Sequence, residues 1–404
     1  MSTAILERLT GLLGPACVGR DPSGLPRAMP DSSDAAALVL RLAHDEGWKV
    51  RLEGRGSWLP ADAPADLALS SRGLDQVVSV SPADLVATVQ AGVTFDTLER
   101  RLAAAGMWLP LDPPGRPDRS VGSIIATATT GPLRAGAGTV RDHVLGCTFV
   151  TGDGKVVDAG GRVVKNVAGY DLTKLQVGGF GGFGMLTELH LRLRARPEQD
   201  VTLVAAGDRD RLTRAGRSAI EAGVTALALE LCAPAVVAER EWQLAARLAG
   251  PAAGASAESV ALAEATGLEW RTLAVEQAHA WWTMAARAPL GGAVTLRLGA
   301  LPDGLDETLD LLDEVLDAGL VTVGTTTGQV RWSGDAHAAS IKRVRAVAAS
   351  REVPLTLERA PWTLRREVGH FGAYREGVGP IVGRLRDTFD PGHNFVVALE
   401  GDDA

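Results

Sequence analysis

The sequence predicts a mixed α+β fold made of more than one domain. Short alternating strands and amphipathic helices follow one another between residues 30 and 196, and glycine-rich turns separate them. After Pro197 the chain becomes rich in Ala, Leu and Val and again alternates strands with helices, which indicates a second α+β domain. A chain of 404 residues, 46% of them apolar, is long enough for two or three cores.

The charge and the apolar pattern exclude several classes of protein. A net charge of −8 gives no general attraction to nucleic acid or to anionic lipid. No run of 18 apolar residues is present, and the first residues, MSTAILERLTGLLG, lack the basic start and long apolar centre of a signal peptide. We therefore expect a cytoplasmic protein that binds no nucleic acid and does not itself insert into a membrane.

The cysteine and histidine positions predict no metal site. Cys17, Cys147 and Cys232 lie far apart, so they fit neither a disulfide framework nor an iron–sulfur cluster. The seven histidines show no HxH or HExxH spacing. A single histidine on a predicted strand, such as His190, is more often a packed or solvated residue than a ligand.

The first predicted elements alternate helix and strand. One helix begins at Ser33 or Asp34 and runs to about Glu46, and a second is capped by Thr94 and ends at Gly106. The predicted strands lie at residues 48–52, 67–70, 76–80 and 85–90, and the loop EGRGSWLPADAP follows the first of them.

Residues 111–146 are small and rich in glycine. They are too polar for a core and too apolar for a disordered linker. A segment of this kind is typical of a backbone that fits closely around a ligand. The next residues, 148–157, read TFVTGDGKVV and predict a β-hairpin with a Gly-Asp-Gly turn.

Residues 161–188 form the most informative stretch, GRVVKNVAGYDLTKLQVGGFGGFGMLTE, which contains seven glycines. Residues 179–184 match GxGxxG, but Leu189, Leu191 and Leu193 then alternate with polar residues. A strand and not a helix follows the glycines, which argues against a Rossmann site. The glycines instead allow the backbone to lie against a flat or bulky ligand.

The second domain is predicted from residue 201 onward. We expect strands at residues 226–231 and 294–298, helices at 236–248 and 305–318, and a loop with a short helix at 250–267. A last helix at residues 381–388 is expected to pack back onto the first domain.

Four motifs occur in a fixed order, and together they resemble a known family. They are EGRGSW at 53–58, SVGSIIATATTG at 120–131, GTVRDHVLG at 138–146 and VVKNVAGYDLTKLQVGGFGGFGMLTE at 163–188. The set resembles the FAD-binding domain of the vanillyl-alcohol oxidase and p-cresol methylhydroxylase (PCMH) superfamily. More narrowly, the string KNVAGYDLTKL at 165–175 and the segment GPLRAGAGTVRD at 131–142 are similar to the FAD-binding subunit of bacterial glycolate oxidase. The resemblance covers roughly residues 25–197.

The resemblance implies a fold and a set of domain boundaries. An N-terminal helix or extension at 1–25 would precede a PCMH-type FAD-binding domain of two α/β subdomains at 26–197. An α+β cap domain with an antiparallel sheet, which holds the substrate in the family, would follow at 198–375. A C-terminal segment at 376–404 would pack back on the FAD domain.

The resemblance also implies where FAD binds. In the family a loop between two strands binds the flavin diphosphate, and successive amides beside glycines suit phosphate oxygens. The alternative for this loop is a tight turn with a solvated Arg55. The matching residues are Glu53, Gly54, Arg55, Gly56 and Ser57 in that loop, Ser120, Gly122, Ser123, Thr127, Gly131 and Gly138 along the flavin, and Gly184, Met185 and Leu186 at the end of the site.

Several residues near these motifs are open to two interpretations. Members that bind FAD covalently often carry a histidine in or near the diphosphate loop, whereas this loop has Trp58, so we expect noncovalent FAD. Lys165 and Asn166 either face the cofactor or substrate or form a structural turn. Arg141 and Asp142 either pair with each other or lie at the flavin.

The second domain departs from the catalytic relatives. Relatives that oxidise D-2-hydroxy acids carry a histidine-rich, metal-binding motif there, and nothing like it appears between Val201 and Arg375. Arg331 is a candidate partner for a substrate carboxylate, with a surface salt bridge as the alternative. His337 and His370 have no visible partner in the sequence, so no catalytic residue is assigned.

These observations leave three hypotheses of function. The first is the FAD-binding subunit of a glycolate oxidase-like complex, an FAD-dependent oxidoreductase that oxidises glycolate or D-lactate and passes electrons to a separate iron–sulfur subunit. A second flavoprotein subunit would complete that complex, and partner subunits could hold it at the inner membrane. The second is a non-catalytic assembly subunit with the same fold. The third is a stand-alone FAD-dependent alcohol or sugar oxidase.

Overall fold

The computed structural model describes residues 2–162 and 170–401. These residues form sheets of four, five and eight strands and one short two-stranded pair. The predicted α+β class is confirmed. Lys165 and Asn166, named above as candidates, lie outside the described residues.

The first sheet is mostly parallel and is covered by α1 and α2. Its strand order is β1-β2-β4-β3, in which β4 runs parallel to both β2 and β3. Ser32, one residue before the predicted cap, begins α2 by accepting a hydrogen bond from the Ala35 amide at 3.2 Å. The elements are α1 Ser2–Leu13, β1 Val18–Arg20, β2 Pro26–Ala28, α2 Ser33–Asp45, β3 Val50–Glu53 and β4 Leu67–Ser70.

The second sheet is antiparallel, with the order β5-β6-β10-β8-β9. The alternation after the glycine run makes β10 its central strand, because Leu189 and Leu191 enter the core while His190 and Arg192 are less buried. The elements are β5 Val77–Ser81, β6 Val86–Gln90, α3 Phe95–Ala103, β7 Met107–Trp108, α4 Val121–Thr127, α5 Arg134–Ala137, α6 Val140–His143, β8 Val144–Val150, β9 Val156–Gly160, α7 Leu172–Gln176, β10 Met185–Arg192 and β11 Arg194–Ala195.

Residues 111–146 contribute more to the core than their composition indicates. Val121, Ile124 and Ile125 of α4 are each 1% exposed and pack in the core of the second sheet. The expectation that this segment is too polar for a core is therefore wrong. Its short helices place a few apolar side chains inward while the small residues keep the backbone close to its neighbours.

The large sheet, with eight antiparallel strands, is built by the residues after Pro197. Its order is β15-β12-β14-β13-β17-β18-β16-β19, and helices cover it. The elements are β12 Gln199–Gly207, α8 Arg209–Glu221, β13 Ala228–Cys232, α9 Pro234–Val237, β14 Trp242–Gly250, α10 Ala252–Thr266, β15 Arg271–Thr272, α11 Val275–Arg287, β16 Val294–Gly299, α12 Leu305–Val315, β17 Leu320–Gly324, β18 Gln329–Gly334, α13 Ala338–Ser350, β19 Leu355–Arg359, α14 Trp362–Val368 and α15 Val378–Phe389.

Two predictions for this half are wrong. Residues 236–248, expected as a helix, form mainly the strand β14, which pairs with β12 and β13 on its two sides. Its Ala, Arg and Gln favour a helix, but burial between two strands decides the conformation. Residues 250–267, expected as a loop with a short helix, contain the 15-residue helix α10.

The C-terminal residues contact the first two sheets. Val50 of β3 exchanges backbone hydrogen bonds with Asn394 and Val396 at 2.8 and 3.0 Å. The Asn394 side chain donates to the carbonyl oxygens of Ala43 and Trp48 at 3.1 and 2.7 Å. These bonds bring residues 394–398 beside β3, at one wall of the cavity described next.

Candidate functional site

A cavity lies between the first two sheets and extends toward α14. It has about 1140 Å³ of space outside protein atoms, part of it open to solvent. The end of β3, the loop after it, α4, the start of β10, α14 and residues 396–398 form its walls. Three parts of the chain that are distant in sequence therefore meet at one site.

The loop at residues 53–57 borders this cavity, and the backbone N–H groups of residues 54–57 have no acceptor within the described parts of the chain. Gly56 has φ +71°, a conformation that glycine adopts without strain. The loop is fixed from behind, because the Ser70 hydroxyl donates to the Gly54 carbonyl at 2.9 Å. This is a backbone concavity suited to an anion such as a diphosphate.

Two glycines are required by close backbone contacts along the cavity. A Cβ at Gly54 would lie 2.2 Å from the Ser120 hydroxyl, and a Cβ at Gly122 would lie 2.8 Å from the Ala91 carbonyl oxygen. The Gly122 amide donates to that same carbonyl at 2.7 Å. Larger residues would push α4 away from the loop and change the shape of the cavity.

The cavity brings together most of the residues that the family resemblance implied. Ser120 lies just behind the wall, where its hydroxyl caps α4 at 3.4 Å from the Ser123 amide. The predicted residues that line the cavity are Glu53, Gly54, Gly56, Ser57, Gly122, Ser123, Thr127, Gly184, Met185 and Leu186.

Three other predicted residues lie away from the cavity. Arg55 turns back to donate to the Gly92 carbonyl at 3.1 Å. Gly131 packs on Asp112, where a Cβ would lie 2.1 Å from the Asp112 carbonyl oxygen. Gly138 has φ +94° and precedes α6, which Asp142 caps by accepting from the Thr139 amide and hydroxyl, each at 2.7 Å.

Unpartnered donors surround the cavity. The Arg51 Nε, Trp58 Nε1 and Arg365 Nε atoms are buried and have no hydrogen-bond acceptor among the described residues. Buried donors without acceptors cost stability, so they are usually bound by something. Together with the free amides, they fit a ligand that carries several acceptor oxygens, as a dinucleotide does.

Trp58 forms part of the wall and covers a buried arginine. The Trp58 side chain is 3% exposed, and the Arg119 guanidinium carbon lies 4.3 Å from its ring centroid. Arg119 donates to the hydroxyls of Thr127 and Thr129 at 2.9 and 2.7 Å. Trp58 is therefore held in a fixed position beside the glycine loop.

His370 is the histidine that lines the cavity in the described chain. Its ring stacks on Phe180 with centroids 4.0 Å apart, and its Nδ1 donates to the Leu357 carbonyl at 2.7 Å. Burial lowers the pKa of His370 to about 4, so the ring is neutral at pH 7. Its Nε2 atom is therefore a hydrogen-bond acceptor. His337, by contrast, is exposed at the start of α13.

Arg331 is not a surface residue and does not face an open substrate site. It is 4% exposed and bonds both oxygens of Glu358, at 2.8 and 3.2 Å, as well as the Thr130 carbonyl at 2.5 Å. Arg297 shares the same carboxylate at 2.6 Å. Arg331 therefore does form a salt bridge, but the predicted surface location is wrong. The pair lies buried between the large sheet and the segment before α5.

Two further carboxyl groups lie buried near this ion pair. Burial raises the pKa of Asp112 to about 7 and that of Glu230 to about 8. The Asp112 carboxylate adds to the rise at Glu230, while the charge of Arg331 opposes the rise at both groups. The Asp112 Oδ2 atom accepts from the Leu133 amide at 2.9 Å, whereas Oδ1 has no partner within the described chain.

Sequence reasoning missed the cavity residues Arg51, Arg365 and Phe180 and left His370 without a role. Arg365 comes from α14, more than 300 positions after the glycine loop, and pairs with Asp62 at 2.7 Å. A charged residue on a helix has no local signal that it faces a ligand. Phe180 gave a partial signal, because it lies within the glycine run that we singled out and has φ +50°.

Comparison with known proteins agrees with this geometry. The family model described as "FAD binding domain" matches residues 27–160. The chain is 41% identical over 128 residues to glycolate oxidase subunit GlcE of Escherichia coli (strain K12), which is 31% of this chain and 37% of that protein. It is 30% identical over 179 residues to glycolate oxidase subunit GlcD of Bacillus subtilis (strain 168), 44% of this chain and 38% of that protein.

A third relative and a solved structure complete the comparison. A probable mitochondrial D-lactate dehydrogenase of Danio rerio is 32% identical over 183 residues, 44% of this chain and 36% of that protein. The chain thus matches little more than a third of the length of these relatives. A structure of alkyldihydroxyacetonephosphate synthase shares the fold with a TM-score of 0.74 and 13% identity, over 98% of this chain and 84% of that one.

Among the described residues, no helix combines the length and the apolar character that crossing a membrane requires. The cavity, its free amides and the family match agree on a single cofactor, FAD. Residues 27–160 of this chain therefore match an FAD binding domain, and the chain is similar over this region to glycolate oxidase subunits.

Proposed function

We propose that this chain is the FAD-binding subunit of a glycolate oxidase-like complex that oxidises a small 2-hydroxy acid such as glycolate or D-lactate. The observation that carries the proposal is the cavity between the first two sheets, with its free loop amides and unpartnered donors. Similarity to glycolate oxidase subunits over the same residues supports it. FAD, when bound, supplies the acceptor for a hydride and passes electrons on.

The residues of this chain would bind and orient the cofactor. The amides of residues 54–57 would bind the diphosphate, and the approach of Gly54 to Ser120 keeps that end of the cavity narrow. Trp58 would exclude water beside the loop. His370, neutral and fixed by Leu357, would accept a hydrogen bond and would not carry charge at pH 7.

We also propose that FAD is bound noncovalently, because the loop at residues 53–58 contains no histidine and has Trp58 where one could sit. Acid precipitation of the FAD-loaded protein should leave the yellow colour in the supernatant. Colour that stays with the pellet would show a covalent bond and would refute this part of the proposal.

The electron acceptor in this proposal is a separate iron–sulfur subunit, and a second flavoprotein subunit completes the complex. The isolated cysteines, of which Cys147 and Cys232 are buried, support an external acceptor. Affinity purification of the tagged chain from its own cells should recover both subunits. A fully active monomer would contradict the proposal.

The activity test uses the flavin spectrum. The purified chain, loaded with FAD, should show the flavin band at about 450 nm, and glycolate or D-lactate should bleach it without oxygen, alone or with the partner subunits present. Absence of the band after loading would refute FAD binding.

A second candidate function has a specific observation in its favour. Arg331, the residue available in the sequence for a substrate carboxylate, is already bonded to the Glu358 carboxylate and the Thr130 carbonyl. A non-catalytic assembly subunit that binds FAD would show the flavin band without bleaching by any 2-hydroxy acid, both alone and in the complex.

A further inference from the structure

A buried cation without an anionic partner stands behind the cavity wall. Arg119 is 1% exposed and donates to four neutral oxygens, the carbonyls of Pro114 at 2.7 Å and Ser123 at 3.5 Å and the hydroxyls of Thr127 and Thr129. Its Nε atom is buried and has no acceptor in the described chain. No carboxylate in the described ranges, 2–162 and 170–401, lies within ion-pair distance of it.

The surrounding protein does not neutralise this charge. Glu358 is the carboxylate whose charge favours the protonated form of Arg119, but it is already bonded to Arg297 and Arg331. Burial lowers the pKa of the Arg119 guanidinium to about 9, which still leaves it charged at pH 7. A buried, unpaired charge is costly, and hydrogen bonds to neutral oxygens offset that cost only in part.

Arg119 is separated from the cavity by a single layer of side chains. Trp58, Ser123 and Thr127 line the cavity, and Arg119 stacks against the first and donates to the third. The cavity belongs to FAD, whose diphosphate is negatively charged. A buried positive charge one layer behind the cavity wall acts on such a ligand more strongly than an exposed one, because solvent screens it less.

We propose that Arg119 is a positioning residue for FAD. It contacts Trp58 and Thr127, which form part of the cavity wall, and its buried positive charge attracts the anionic cofactor from behind that wall. The inference rests on FAD being the cofactor and not on the proposed oxidation of a hydroxy acid. A purely structural role is the competing explanation, in which Arg119 only supports Trp58 and the two threonines through packing and hydrogen bonds.

The test separates the effect of the Arg119 charge on FAD affinity from the effect of Arg119 packing. Apoprotein of the unaltered chain, Arg119→Met and Arg119→Lys is titrated with FAD, following quenching of flavin fluorescence at low and high salt. Arg119→Met should raise the Kd about tenfold, and Arg119→Lys by less than about threefold. The apoprotein of Arg119→Met should melt no lower than the unaltered apoprotein, because an unpaired buried charge has been removed.

Arg116→Met is the matched control. Arg116 lies in the same segment, but it is exposed and paired with Asp118 at 3.1 Å, so its loss should leave the Kd unchanged. Because Arg119→Lys keeps the charge, it stays informative even where the methionine variant does not fold.

Two results would overturn the inference while leaving FAD binding intact. One is an equal Kd for Arg119→Met and the unaltered chain. The other is equal weakening by methionine and lysine, which would mean that shape and not charge is required. Failure of the unaltered chain to bind FAD would overturn the cofactor assignment and the inference with it.

Discussion

Arg119 and Arg331 are both buried arginines, yet they lie in regions of opposite character. Arg331, between the large sheet and the segment before α5, has both oxygens of Glu358 as partners. Arg119, behind the cavity between the first two sheets, has only neutral acceptors and an orphaned Nε. The ion pair of Arg331 joins two parts of the protein, whereas the unpaired charge of Arg119 behind the cavity wall supports our proposal that it acts on an anionic ligand in the cavity.

The largest effect is expected from breaking the completed pair. Glu358→Gln would leave the buried Arg331 and the half-buried Arg297 without a carboxylate, and we expect a loss of about 3–5 kcal/mol in the free energy of unfolding. Urea unfolding of the apoprotein measures it.

Glu314→Gln is the control for that change. Glu314 pairs with Arg343 at 2.7 Å, but both side chains are largely exposed, so its loss should cost less than about 1 kcal/mol. Similar losses for the two variants would contradict the contrast between the regions, since they would show that the buried pair contributes no more than a surface one.

The second prediction concerns pH. Burial raises the pKa of Asp112 to about 7 in the folded chain, above its ordinary value of 3.8. Between these values the folded state binds a proton that the unfolded state has lost, so stability falls as pH rises from about 4 to about 7. Asp112 thus lowers the free energy of unfolding by up to about 1.4 kcal/mol for each pH unit in that window.

Asp112→Asn should reduce the slope of the free energy of unfolding against pH between pH 4 and 7 by up to about 1.4 kcal/mol per pH unit. Unfolding curves at pH 5, 6 and 7 measure the slope, and Asp118→Asn, at an exposed ion pair, is the control that should leave it unchanged. An unaltered slope in Asp112→Asn would mean that Asp112 is charged when folded, and the description of its surroundings would then be wrong.

The smallest effect is expected in the loop. Gly56 and Gly47 have φ of +71° and +68°, and neither has an atom within 4 Å of an added Cβ. Alanine at either position should cost about 1 kcal/mol of stability, because the strain is the same. Only Gly56→Ala should also weaken FAD binding, by about fivefold, since Gly47 ends α2 away from the cavity.

Titration of both apoproteins with FAD measures that difference. Equal affinities for Gly56→Ala and Gly47→Ala would show that the conformation of the loop is not used to bind FAD. The two substitutions introduce the same backbone strain and differ only in their distance from the cavity, so a difference in FAD affinity reports on the loop.

Local patterns predicted the elements whose conformation is decided locally. The alternation of Leu189 and Leu191 predicted β10, and the Gly-Asp-Gly turn predicted the hairpin of β8 and β9. Residues 236–248 failed because their composition favours a helix while their place between β12 and β13 imposes a strand. Strand pairing is a long-range property that a local window does not contain.

The glycine loop, the small-residue segment around Gly122 and the resemblance to FAD-binding proteins were visible in the sequence, because close backbone contacts and positive φ restrict which residue types are possible. Which side chains complete the cavity became visible only in the folded chain. Arg365 and His370 enter it from a helix and turn far along the chain, and Arg119 lacks a carboxylate that Arg331 has. Burial and pairing of a charge depend on the residues that pack around it. The sequence near an arginine does not indicate whether its side chain is paired, solvated or facing a ligand.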